Sequence, residues 1–182
     1  MIAMTVKEET LKLTTRQREG RAINAVAELL RRTLSVPNIY LEPPASLISA
    51  DVLAVDRGGA GDLHAVEIKL IDEKQILGPR TRLLAVIGSV YHRLMSMPAH
   101  FRYLAIPTSY LDILHGDLSQ LGLYAQDGIG RLGVITITEK GVDSPIAEVA
   151  VAPERFRVDP AKLKAIETRL LAKSRPDIEV RI

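Results

Sequence analysis

At 182 residues, 47% of them hydrophobic, the chain is long enough to bury one core without staples. The absence of cysteine excludes disulfides and thiolate zinc sites and favours the cytoplasm, and a formal net charge of +2 permits an anionic partner without arguing for one. The first 20 residues carry Lys7, Glu8, Glu9, Lys12, Arg16 and Arg18 and hold no apolar run that could target or span a membrane, so no membrane partner is expected.

Residues 1–13 read as a flexible polar arm, 14–152 as an α/β domain and 153–182 as a helical extension packed on it. Thr14 and Thr15 offer N-caps for a helix to about Arg32, with Ile23, Val26, Ala27, Leu30 and Leu34 forming a stripe at spacings of three and four. Val36-Pro37-Asn38 ends it. Strands are expected over Leu47–Val55 and Leu63–Leu70, joined by a glycine-rich turn centred on Gly59. Gly78-Pro79 opens a second helix reaching about Met95, apolar on more than one face and so largely buried. Phe101–Ile106 has strand composition, which makes a strand–helix–strand unit that should close into a parallel pair. A short helix over 109–121, strands near Leu123–Gln126, Leu132–Thr138 and Ile146–Val151, and an amphipathic helix over Ala161–Lys173 complete the expectation.

A symmetric hairpin about Gly59 places Asp51 across from Glu67, eight residues either side of the turn centre. Cβ atoms of such a pair lie about 5 Å apart, where like charges are destabilising unless something positive sits between them. Lys69, two residues beyond Glu67, shares that face. The surrounding Val, Leu, Ile and Ala belong to buried strands, where an ionised carboxylate is tolerated only when paired or bound to a metal. Ordinary ion pairing at an edge strand is the bland alternative. Glu19, four residues before Ile23, lies on the apolar stripe and is expected to point inward, although a first-turn acid favoured by the helix dipole explains it equally well.

The order of helix with an acid, strand with Asp, strand with Glu-x-Lys, helix and strand resembles the PD-(D/E)XK nuclease superfamily over roughly residues 15–107. Ala50-Asp51 stands where that family has Pro-Asp, and Glu67-Ile68-Lys69 where it has Glu-x-Lys. The resemblance implies a restriction-endonuclease-like α/β fold, with a central mixed sheet flanked by helices around an αβββαβ core. It further implies Mg²⁺, with Mn²⁺ able to substitute, on Asp51, Glu67 and the backbone carbonyl of Ile68, an oxygen set suited to a hard cation. Lys69 would orient or help deprotonate the attacking water, and Glu19 would hold water or a second metal. Gln75 stands where family members often place another polar residue, though a solvated loop glutamine also accounts for it.

The activity implied is that of a DNA endonuclease; the alternative is a catalytically weak DNA-binding or assembly module of the same fold. Arg16 and Arg18, with Lys74, Arg80 and Arg82, flank the site in sequence and are expected near its rim, in reach of phosphates. Two-strand cutting would suit a homodimer. Gly58-Gly59-Ala60-Gly61 precedes a strand and lacks Gly-Lys-Ser/Thr, so it is a turn rather than a phosphate loop. His64, His92, His100 and His115 lack metal-ligand spacing and receive no role.

Overall fold

The computed structural model describes residues 13–36, 38–43, 48–56, 61–70, 80–110, 131–139 and 144–173. The expected arm up to residue 12, the strand at Leu123–Gln126 and nearly all of the helix over 109–121 lie outside them.

Helix α1 spans Thr15–Leu34 and begins with a reciprocal cap: Gln17 N–H donates to the Thr14 hydroxyl while the Gln17 side chain accepts from the Thr14 N–H. It ends at Ser35 in the left-handed region, whose N–H donates to the Leu30 carbonyl. Ala22, Ile23, Val26, Ala27 and Leu30 form its buried stripe. Glu28, on the opposite face, pairs with Arg31 and Arg32 instead.

The strands β1 (Asn38–Leu41), β2 (Val52–Val55), β3 (Leu63–Ile68), β4 (Phe101–Pro107), β5 (Gly133–Thr138) and β6 (Ile146–Val151) form one sheet in chain order. The pairs β3–β4 and β4–β5 are parallel and the rest antiparallel, so the sheet is mixed. Helix α2 (Arg80–Ser96) lies between β3 and β4 in the chain, and α3 (Pro160–Lys173) follows β6. Strand β1 has no counterpart among the elements read from the residues, although the αβββαβ order implied by the resemblance includes a strand there, and β2 is shorter than Leu47–Val55. An inverse turn in which Ala50 N–H reaches the Ile48 carbonyl occupies the first part of that segment.

Period-two alternation divides the sheet into two faces. Val52, Ala54, Val66, Ile68, Tyr103, Ala105, Ile135 and Ile137 pack with α1. Leu53, Val55, Leu63, Ala65, Leu104, Ile106 and Val134 pack with Ile87, Val90 and Leu94 of α2 and Ile166 and Leu170 of α3. Helix α2 therefore buries one face rather than several, and Val86 on its outer side is exposed.

The segment between β6 and α3 is fastened across the far end of β3 and β4. Arg155 grips Asp62 at 2.7 Å, Phe156 N–H donates to the His100 carbonyl at 2.7 Å, and the Arg102 guanidinium lies 4.0 Å over the fully buried Phe156 ring. Arg102 is itself buried and donates to the carbonyls of Ala99 and Met95, which ties the end of α2 to β4. Burial lowers its pKa to about 10. His100 Nδ1 accepts the Leu63 N–H at 3.0 Å and so carries a lone pair, which makes its 3.4 Å approach to Asp62 a packing contact rather than an ion pair.

Candidate active site at the end of the hairpin

The β2–β3 register pairs Val52 with Val66 and Leu53 with Ala65; continued by one residue, it sets Asp51 opposite Glu67. The symmetric pairing about Gly59 predicts this register. The Asp51 N–H donates to the Val66 carbonyl at 2.9 Å, and its Oδ2 accepts the Ile68 N–H at 2.6 Å. A half-buried carboxylate thus closes the end of β3 by satisfying an amide at the rim of the ladder.

Glu67 lies on the α2 face, with Leu63 and Ala65 four and two residues before it, and is only 5% exposed. Its Oε1 accepts from Arg93 Nη2 of α2 and lies 3.3 Å from Lys69 Nζ. Burial raises the Glu67 pKa above the usual carboxylate range, the nearby Asp51 charge raises it further, and Arg93 and Lys69 oppose both. Two carboxylates and two cationic side chains therefore share the end of one hairpin.

Asp51, Ile68 and Lys69 also line a cleft of about 220 Å³ whose other walls are Arg16, Glu19, Gly20 and Ile23 of α1 and Glu42 beyond β1. Glu19 enters it from the α1 face and is exposed, so it does not point into the core as the helical stripe predicts. Position 19 lies in the second turn of α1, where the stripe opens onto the cleft instead of the buried sheet. Glu19 and Glu67 thus approach from opposite faces, with Asp51, Ile68 and Lys69 between them. Among the described residues no group of three or more His, Asp or Glu side chains could hold a metal ion, so a three-carboxylate cage of Asp51, Glu67 and Glu19 is not formed.

What does form is a pair of carboxylates at the strand ends beside the Ile68 backbone. All these donors are oxygens, and the charge that Asp51 places near Glu67 is opposed there by Arg93 and Lys69. Carboxylate and carbonyl oxygens are donors of the hard kind that Mg²⁺ or Mn²⁺ takes.

No family model matches the chain, and no curated protein matches it. Among solved structures, the SPO1766 protein of unknown function from Silicibacter pomeroyi is similar at a TM-score of 0.52 and 17% identity, over 89% of this chain and 87% of that one. The likeness is one of fold. It accords with a mixed α/β architecture and says nothing of chemistry.

Of the basic residues expected at the rim, Arg16 lines the cleft, whereas Arg18 pairs with Glu139 at 2.9 Å. Lys74, Gln75 and the side chains of Arg80 and Arg82 lie outside the described residues. Two neighbours escaped the sequence reading. Glu42 has a positive φ of 45° and donates its N–H to the Asp51 carbonyl at 2.8 Å, holding the approach to β2. Arg93 received no role from the sequence; its place three residues after the core residue Val90 was the available signal that it borders the buried face.

Among the described residues no helix is long and apolar enough to cross a membrane.

Proposed function

We propose that the chain is a metal-dependent DNA endonuclease of restriction-endonuclease-like fold, acting in the cytoplasm and hydrolysing phosphodiesters by water attack. The observation that carries this reading is the union of Asp51, Glu67 and Lys69 at one hairpin end, with Lys69 Nζ 3.3 Å from Glu67 Oε1 and a cleft opening beside them. The element order α1-β1-β2-β3-α2-β4, with an antiparallel β1–β2–β3 meander and a parallel β3–β4 pair, supports it as well.

Asp51, Glu67 and the Ile68 carbonyl would hold Mg²⁺, which when bound polarises a phosphoryl oxygen and acidifies water. Lys69 orients the water on its way to phosphorus and offsets charge on the phosphate as it builds. Arg16, exposed on the cleft wall, offers a phosphate contact from the α1 side. Glu42 makes the wall beyond β1 anionic, which favours a phosphate on the Lys69 and Arg16 side of the cleft.

A second reading, that of a DNA-binding module with weak catalysis, is favoured by one contact: Arg93 already neutralises Glu67. Incubation with plasmid, linear and branched DNA in Mg²⁺, Mn²⁺ or EDTA, beside Asp51→Ala and Lys69→Ala, separates the two. Metal-dependent cleavage lost in both variants is the expected result. Cleavage that survives both substitutions removes the proposed site, and DNA binding without cleavage in any metal moves the chain to the second reading.

A further inference from the structure

Glu67 is ringed by two cations of different origin. Lys69 comes from the same strand and lines the cleft, whereas Arg93 arrives from α2 and makes the closer contact with Oε1. Asp51 and Glu67 against Lys69 and Arg93 make the cluster neutral as it stands. A divalent cation added to that set would leave two net positive charges around one buried carboxylate, and one of the two Glu67 oxygens, Oε1, already accepts from Arg93.

The hold of Arg93 is narrow. Only Nη2 is bonded to Glu67, the Nε is buried without a hydrogen-bond partner among the described residues, and the side chain is 40% exposed, so the guanidinium has a path to solvent. A fork bonded through two nitrogens would resist displacement; a single contact does not.

Resting on the nuclease reading, we propose that Arg93 is a built-in competitor of the metal: it occupies the Glu67 carboxylate in the metal-free protein and must leave Oε1 before a divalent cation can bind there. Metal entry and Arg93 release are one exchange, and the guanidinium it frees is then available to the anionic substrate. Arg93 is thus a positioning residue in the metal-free protein.

Titration calorimetry with Mn²⁺ and no nucleic acid, on the full chain and on Arg93→Ala, Arg93→Gln and Asp51→Asn, tests this. Relative to the unsubstituted protein, both Arg93 variants should bind Mn²⁺ at least about tenfold more tightly, the worth of one charge-assisted hydrogen bond, and Asp51→Asn should lose binding. Arg93→Gln keeps an amide donor beside Glu67 and carries the test should the alanine variant fold poorly. Equal or weaker binding by the Arg93 variants, with binding still lost in Asp51→Asn, overturns the competition and leaves the metal site standing. Absence of binding in every protein overturns the metal site and the competition together.

Discussion

At the residue scale the hairpin end is a problem in charge placement. Glu67 lies in a strand whose other residues are buried, and a carboxylate there persists because Arg93 and Lys69 sit on it. Replacing Lys69 by Ala should remove cleavage while Arg93 keeps Glu67 paired, so thermal unfolding should shift by about 1 kcal/mol or less, the range of a partly exposed ion pair. His64 shows the reverse case. It is buried, stacked on Phe101 at 4.7 Å, and its pKa is lowered to about 4 by burial. Because that value lies below the unfolded one of 6.5, the unfolded chain takes up the proton first; the stability due to neutral His64 is whole above pH 6.5 and drains away as pH falls toward 4. The interval corresponds to about 3 kcal/mol. His100, also lowered, acts in the same direction, while Glu67, raised, acts in the opposite one. The difference in unfolding free energy between the native chain and His64→Gln, followed from pH 7 to 4, isolates the His64 part: the native chain should lose stability more steeply than the variant.

At the scale of elements, helix α2 matters because it delivers Arg93, and the C-terminal end that carries this residue is held by Arg102. Arg102→Met should cost about 2–4 kcal/mol, since it leaves the Ala99 and Met95 carbonyls without a donor and removes the cation over Phe156; urea unfolding measures it. Gly133 faces Tyr103 across the β4–β5 register, and a Cβ there would lie 2.6 Å from the ring. Gly133→Ala should therefore destabilise by about 1–3 kcal/mol, read in the same experiment. The two strands of the hairpin, β4 to β6 and helices α1 and α3 were legible in the sequence because each carries a run of strand composition bounded by turn residues, or a helical stripe with or without a cap. Strand β1 was not: four residues between Pro37 and Pro43 are too few to show a period. Helix α2 was read as apolar on more than one face and largely buried because Val86 looks like a core residue in a sequence, whereas the sheet offers one face to cover.

At the scale of the molecule, one turn centre at Gly59 was enough to set Asp51 opposite Glu67, because period-two geometry leaves a hairpin little freedom once its middle is known. The Glu67–Arg93 contact, 26 residues apart and dependent on how α2 lies across the sheet, had no local signature. Glu19 was half legible: its closeness to the site followed from helix order, its exposure did not. On the proposed nuclease reading, the Asp51 charge, and not only its shape, serves a metal beside a phosphodiester. Asp51→Asn keeps an oxygen to accept the Ile68 N–H and removes that charge, so the fold should hold. The measurement is the rate of plasmid nicking in Mg²⁺ by this variant and by the native chain, with EDTA as the blank. The account predicts Mg²⁺-dependent nicking by the native chain and a fall of at least about a hundredfold in Asp51→Asn. Nicking by the variant within a few-fold of the native rate would contradict it.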